Sequence, residues 1–402
     1  TVVLDEDFGV YRVYFPEKNI YLDFSRLQGA NIIDDLERRD FTINAIAVRW
    51  LGNHFEIIDP FNGIEDIYEK RIKAIKRKNL IDDPLRILRA FRFYAELGFG
   101  IEEKTLSSIG ELKFLINKSA PERIKFELAK IFQTPQSYKT IQFMYDYGVI
   151  QEIFPFLSSY KGFFSGKRHI YDLWEHSLKT LEIIEDFFQN KNFPINFDEH
   201  LLYDEVEKEF NYLTILKISS LFHDVGKLFA YDNKENKITF YKHEIYGADY
   251  LTELLVEKRF SKDTVQAIIN IIRYHMYPFH LTISNVKNIN SRIYLRLKKD
   301  LNELVPLVFL LFIADISATN MDEETKSMIK SSIEIYNKYL EMKKRDVEFK
   351  PLLDGNDVMK ILNLNEGPEI GRVIKKLREA QLNGVIHTKE DAENYIKHIY
   401  EN

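Results

Sequence analysis

Arg38-Arg39-Asp40-Phe41-Thr42-Ile43-Asn44-Ala45 decides how the first third of this sequence is read. Arginine offers forked donors to phosphate oxygens, while Asp and Asn side chains pair with ribose hydroxyls. Arg39, Asp40 and Asn44 are therefore candidates for holding a sugar and a phosphate chain. A plainer reading stands beside it, a helix start with Asp40 as cap. Upstream, residues 1–27 read as strand. FGVYRVYF at 8–15 is rich in aromatic and β-branched residues, PEKN at 16–19 is turn chemistry, and IYLDF at 20–24 is a second strand. Alternation places Ile20, Leu22 and Phe24 on one face and Tyr21 and Asp23 on the other. This hairpin is the one clear β region in the sequence.

Downstream of the opening string, DDPLRILRAFRF at 82–93 carries a second readable chemistry. Asp83-Pro84 predicts a helix start, with the helix running through 85–97 and stopping at Gly98. On such a helix Asp83 and Arg86 share a face, with Arg89 on the next turn and Arg92 beyond it. A guanidinium presents only donors and a carboxylate only acceptors. Cytosine offers an acceptor at N3 and a donor at N4, and adenine offers the same at N1 and N6. An Arg and Asp pair satisfies both bases, while uracil and guanine present N–H where Arg also presents hydrogen. The competing reading is an intrahelical salt bridge contributing only ~0.2–0.5 kcal/mol.

Further helices are expected over 121–133, 137–148, 172–189, 212–232, 243–258, 262–276, 303–318 and 322–343. A linker fits 158–171, a surface excursion 189–211, and a second joint 343–351. Within this helical region LFHDVGK at 221–227 reads as a helix segment with adjacent His223 and Asp224, side chains suited to a hard-to-borderline divalent ion. Asp315 sits in an apolar helix, where an unpaired carboxylate would be costly.

Composition narrows the classes. A chain of 402 residues suits two to four domains. The net charge of -6 means that any RNA surface is a local basic patch. There is no cysteine, which excludes disulfides, zinc-thiolate sites and thiol nucleophiles. No apolar run reaches the ~20 residues that span a bilayer, and 1–7 carry no basic leader, so a cytoplasmic enzyme is expected. The first residue is Thr1, and the sequence reads as if it begins inside a strand.

RRDFTINA resembles the signature shared by class II tRNA nucleotidyltransferases and bacterial poly(A) polymerases. Asp59-Pro60-Phe61-Asn62-Gly63 with Asp66 is similar to that family's DPFGG-x-x-D loop, and DDPLRILRAFRF to its EDPLRxLRAxRF motif, with Asp82 where Glu is usual. Pro121-Glu122-Arg123-Ile124 with Glu127-Leu128 is similar to an ERI-x-x-EL element, read as a structural staple. His176, His223-Asp224, His243, His275 and Asp315 follow the order of the HD phosphohydrolase superfamily.

The resemblance implies a mostly α protein with a small β region at the N-terminus. Its parts would be the remnant of a polymerase-beta-like nucleotidyltransferase head (1–60), a helical neck that reads the nucleotide (61–157), an all-α HD domain (165–343) and a small helical tRNA-binding tail (345–402). It implies that Arg39, Asp40, Asn44, Asp83, Arg86, Arg89 and Arg92 bind nucleotide. In the head it implies Mg²⁺, held by a D-x-D strand that does not occur here, with Asp23 as one candidate catalytic carboxylate. In the HD domain, His176, His223, Asp224 and Asp315 would hold a divalent transition metal such as Mn²⁺, Ni²⁺ or Fe²⁺. His243 and His275 would bind phosphate or a second metal, and Lys227 would neutralise the phosphate. Partners would be tRNA, CTP and ATP, with no membrane.

The implied function is addition of C and/or A to tRNA 3′ ends, with phosphohydrolase activity in the HD domain. An HD phosphohydrolase with an inactive head, a non-catalytic tRNA-binding module and a poly(A) polymerase are the alternatives. Only residues 24–37 separate Asp23 from Arg38. The family's flexible loop there looks shortened, which favours C addition alone. Basic residues at 287–299 (Lys287, Arg292, Arg296, Lys298, Lys299) and in the tail (Lys375, Lys376, Arg378) are candidate RNA surfaces.

Overall fold

The computed structural model describes residues 2–5, 10–18, 20–164, 171–234, 237–284 and 289–401. Its contacts divide the chain into two compact units, Thr1–Pro155 and Phe156–Asn402.

The first unit opens on three antiparallel strands in chain order, Val2–Asp5, Val10–Phe15 and Ile20–Phe24. One 3-10 turn, Pro16–Lys18, joins the last two, and the register sets Arg12 opposite Asp23 and Tyr14 opposite Tyr21. The expected hairpin is present, but Ile20–Phe24 is exposed along its whole length, so its alternation is not matched by a buried face. Nor is this the only β structure. Ala47–Trp50 pairs antiparallel with Phe55–Ile58, and Arg71–Ile72 pairs parallel with Gly100–Ile101. These strands are short, and a two-residue ladder leaves no periodicity to read.

The neck portion of this unit is helical. Leu85–Leu97 buries Leu85, Ile87, Leu88, Ala90 and Phe91 and packs against Pro121–Gln133, which buries Ile124, Leu128 and Ile131. The ring of Phe91 meets Phe143 edge-on at 5.3 Å. Gly98 ends the first of these helices at φ 67°, the left-handed conformation that glycine adopts without steric cost. The predicted start needs correction. Asp83 does not cap this helix; it is the extended residue that ends a preceding short helix, Arg77–Asp82, and Pro84 begins the next. Asp83 is thereby set on a corner, outside the helix that carries Arg86.

In the second unit Asp172 and Glu175 form a capping box at the start of Leu173–Gln189. That helix packs on Tyr212–Phe222 and on Val305–Ser317, which is buried from Val305 through Asp315. His243–Glu257 and Lys262–Tyr274 complete the packing around Tyr212–Phe222 and its continuation. The helix expected over 212–232 is corrected: it ends at Phe222, His223 is its cap, and a 3-10 turn Val225–Leu228 leads to a strand at Asp232–Lys234. The cause is Gly226. Its backbone lies on the start of the His243–Glu257 helix, and a Cβ there would overlap the His243 carbonyl and crowd the Gly247 amide. A continued α-helix would also fan adjacent side chains about 100° apart, whereas the break turns His223 and Asp224 to one place.

The tail helices Gly355–Leu362, Pro368–Leu382 and Lys389–Glu401 share a core that includes Val358, Val373 and Ile396. Asp346, near the end of Glu323–Val347, ties the tail to the rest. Its buried carboxylate accepts from Tyr294 Oη at 2.9 Å, Lys298 Nζ at 2.6 Å and the Arg378 guanidinium at 2.8 Å. This bears on the basic stretch at 287–299. Lys287 lies outside the described residues, Lys298 is held by Asp346, Arg292 pairs with Glu379 at 3.0 Å, and Arg296 faces Asp300 at 3.6 Å. Arg292 thus reaches the tail directly, and Lys298 shares Asp346 with the tail's Arg378.

Candidate functional site

In the first unit the two motif strings converge. Arg39, Asp40, Asn44, Asp83, Arg86, Arg89, Phe93 and Arg123 line one open pocket of about 400 Å³. Asp40 is buried. It accepts from the Phe41 amide at 2.8 Å and from Asn44 Nδ2 at 3.0 Å, and it takes Arg89 through Nε at 2.7 Å and through Nη2 at 2.6 Å. Asp40 therefore orders its own turn but caps no helix, since Phe41 is the cap residue of the 3-10 turn Thr42–Asn44, and it also anchors a pocket arginine. Arg39 is half-exposed beside Asp35 at 3.3 Å. Arg86 is largely buried, and burial pulls its guanidinium below its ordinary value against the attraction of Asp40 and Asp83.

Asp83 and Arg86 approach no closer than 4.0 Å, so they do not form the intrahelical bridge. The partner of Asp83 is Arg123, whose two terminal nitrogens reach its two oxygens at 3.3 and 3.0 Å. Arg123 was assigned to a structural staple by its motif, and its place in the pocket was not foreseen. The two residues lie far apart in sequence, and only the packing of their helices joins them. Glu127 of the same motif does behave as a staple, at 3.3 Å from Arg92 and 3.9 Å from Arg89. Burial raises the Glu127 carboxyl, with Arg92 and Arg89 opposing. Arg92 is turned into that buried contact and does not line the pocket.

Asp23 lies on the exposed strand in a two-point pair with Arg12 at 2.6 and 2.7 Å, whose hydrogen bonds hold its carboxyl below the usual range. No group of three or more acidic or imidazole side chains gathers around it among the described residues. The head Mg²⁺ site implied by the resemblance is thus not formed by the described residues.

The second unit holds a buried cluster. His176, His223, Asp224 and Asp315 bring ligand atoms within 4.8 Å of one another, and Asp224, His243 and His275 do the same. Asp224 belongs to both groups. Its Oδ2 faces His176 at 3.5 Å and His223 at 3.3 Å, and its Oδ1 faces His243 at 3.2 Å and His275 at 4.0 Å. Asp315 Oδ1 closes the first side at 2.9 Å from His176 and 3.5 Å from His223. His243 and His275 point ring nitrogens at each other across 3.2 Å. The other ring nitrogens of His223, His243 and His275 donate to the carbonyls of Ser220, Phe240 and Ile272, which orients each imidazole with Nε2 inward. Lys227 Nζ pairs with Asp224 at 2.6 Å.

The electrostatics follow from this crowding. Burial alone would lower the His223 imidazole, but Asp224 and Asp315 outweigh it and raise it to about 10. Burial and the facing His243 and His223 push His275 down to about 3. Against their burial, Lys227 and His223 hold Asp224, and His176 and His223 hold Asp315, well below the usual carboxylate range. Two carboxylates and four imidazoles in a closed space form a donor set for a divalent cation. Beside them opens a cavity of about 670 Å³, walled by Phe240, Tyr241, Met276 and Phe279 and reaching Asp224, Lys227 and His243.

Residues 8–73 match the poly(A) polymerase head domain, 98–161 the probable RNA and SrmB-binding site of polymerase A, and 173–320 the HD domain. A CC-adding tRNA nucleotidyltransferase of Thermus thermophilus is 30% identical over 401 residues, covering 98% of this chain and 82% of the relative. An A-adding tRNA nucleotidyltransferase of Deinococcus radiodurans is 26% identical, covering 98% and 85%. Among solved structures, a CCA-adding enzyme in complex with ATP superposes with a TM-score of 0.63 at 20% identity, covering 100% of this chain and 80% of that one. No described helix is long and apolar enough to cross a membrane.

Proposed function

Because the chain belongs to the family of tRNA nucleotidyltransferases, we propose that it transfers cytidylate from CTP to tRNA 3′ ends and leaves the terminal adenosine to another activity. The observation that carries this reading is the convergence of Arg39, Asp40 and Asn44 with Asp83, Arg86 and Arg89 in one pocket. Arg39, half-exposed, is available to phosphate oxygens, and Arg89 is held ready by Asp40. Arg86 donates to the base at N3 of cytosine and Asp83 accepts from its N4 amine; uracil fails at both positions. Restriction to C is supported by the segment before the opening string. Asp34 and Asp35 accept from the backbone of Ala30 and Gln28 at 2.9 Å each, which folds residues 28–31 back onto the short helix Ile32–Glu37. The CC-adding relative points the same way, while the A-adding relative marks the alternative. Given tRNA ending in CC and ATP alone, the intact enzyme is expected to add almost no AMP; efficient addition refutes the restriction.

For the second unit the reading is metal-dependent phosphoester hydrolysis. His176, His223, Asp224 and Asp315 would hold a divalent ion, and His243 and His275 beside Asp224 would hold a second ion or a phosphate. The donor set suits Mn²⁺, Fe²⁺ or Ni²⁺, and such an ion supplies an acidified water and polarises phosphate oxygens. Lys227 keeps Asp224 ionised and adds positive charge where a phosphate would sit. The divisions 1–60, 61–157, 165–343 and 345–402 follow these roles, with Lys375 and Lys376 of the tail toward tRNA and Arg378 committed to Asp346, in a cytoplasmic protein.

A further inference from the structure

We propose that Arg123 is the positioning residue for base selection, holding the Asp83 carboxylate off Arg86 so that both remain open to the base. This rests on the reading of Asp83 and Arg86 as the selecting pair. An Asp and an Arg this close in sequence would ordinarily close to about 2.7–2.9 Å and satisfy each other. An incoming base would then compete with an internal ion pair. Here the two stand 4.0 Å apart, and each is held by a third group. Arg123 grips Asp83 through both oxygens at 3.3 and 3.0 Å, which fixes the plane of the carboxylate. A carboxylate has about four lone-pair sites, so each oxygen keeps one for a base amine. Arg86 is held by backbone: its Nη1 donates to the Asn79 carbonyl at 3.2 Å and, at the limit of a bond, to that of Arg39 at 3.5 Å. Its remaining nitrogens stay free of these contacts.

The grip comes from a rigid place. Arg123 lies in the first turn of Pro121–Gln133, and that helix is fastened to Leu85–Leu97 by buried Glu127 against Arg92. The Arg123 side chain itself is 53% exposed, so its removal opens no hole in the core. Without it the Asp83 carboxylate is free to turn onto Arg86, and the pair becomes its own partner.

The test is made on the intact enzyme with tRNA lacking its terminal CCA, measuring kcat and KM for CTP and for UTP. Arg123→Ala is expected to lower the CTP over UTP preference about tenfold, mostly through a higher KM for CTP, with the melting temperature unchanged. Arg123→Lys, which reaches only one oxygen, should restore part of the preference. In an Asp83→Ala background Arg123→Ala should add nothing, because it acts through Asp83. An unchanged preference, or an equal loss for both nucleotides with a fall in melting temperature, overturns the proposal. Asp83→Ala and Arg86→Ala run alongside separate the two ideas. If they blur the preference and Arg123→Ala does not, the positioning role alone fails. If none of the three does, the base-selecting pair fails with it.

Discussion

The pocket of the first unit and the cluster of the second both gather charged side chains, yet they handle charge in opposite ways. In the pocket the acidic groups already have partners: Asp40 has Arg89, Asp83 has Arg123, and Asp35 faces Arg39. The pocket is open and polar, suited to a guest that comes and goes. In the cluster, six buried side chains converge beside the cavity, and two imidazole nitrogens face each other at 3.2 Å. Such an arrangement is unfavourable unless protons are placed to relieve it or a cation takes their place. A site for a transient ligand satisfies its own charges between turnovers, whereas a site for a resident ion is built around that ion.

The largest break in this comparison comes at Asp224. It serves both groups of ligands, so Asp224→Ala is expected to abolish metal retention and to lower phosphodiester hydrolysis ~10³-fold or more. Metal analysis of protein purified without chelator and resupplied with Mn²⁺ or Ni²⁺ reads the first, and a generic diester the second. Nucleotide addition should be unaffected. Metal retained at the wild-type level, or a wild-type protein inert with every ion, removes the cluster from the argument.

A smaller effect sharpens the other half. Arg86→Ala removes the proposed donor to the base, and one lost charge-assisted hydrogen bond costs about 1.5–3 kcal/mol. The CTP over UTP preference should therefore fall by roughly 10- to 100-fold, with folding spared. A uniform loss across nucleotides together with a lower melting temperature would make the residue structural.

The smallest effect concerns a buried charge that serves neither site. Lys298, Arg378 and Tyr294 outweigh burial and hold Asp346 down at about 2, below its ordinary value. A lowered folded-state value means stabilisation that is complete above the ordinary carboxylate range and lost as pH falls through about 4 toward 2. Lys298 and Arg378 are close to half-exposed, which reduces the gain to about 1–2 kcal/mol. Asp346→Asn should lower the melting temperature by a few degrees at pH 7 and by less near pH 3. An equal deficit at both pH values would contradict this account.

The sequence made the two sites visible to different degrees. His223-Asp224 is contiguous, and the other ligands stand in a fixed order, so the cluster was legible once that order was compared with a known pattern. The break in the helix at His223 was not. Val225 and Leu228 continue the apolar spacing of Tyr212–Phe222, and only the close approach of Gly226 to another helix overrides it. In the pocket, Asp83 and Arg86 were legible as a pair but not as a pair held apart, because the group that separates them sits on another helix. Arg92 shares the spacing of the pocket arginines, but helical spacing sets a side chain's direction only coarsely, and here Glu127 holds it outside the pocket lining. The Ala47–Trp50 and Phe55–Ile58 strands are hard to read because each is four residues long, too short for the alternation Val48-Arg49-Trp50 and Phe55-Glu56-Ile57 to stand out as a period.

Gly226 has a consequence for the choice of ion. It follows His223-Asp224, and it rests by backbone alone on the turn that bears His243. The distance between the two halves of the cluster is therefore gauged by main chain against main chain, a contact with no rotamers and almost no compliance. Ligands on flexible arms adjust to cations of many sizes; ligands mounted on a stop of this kind do not. For the metal proposed at this cluster, the gap between Asp224 and His243 would act as a fixed caliper, and ionic radius would then weigh beside affinity order in which ion is kept.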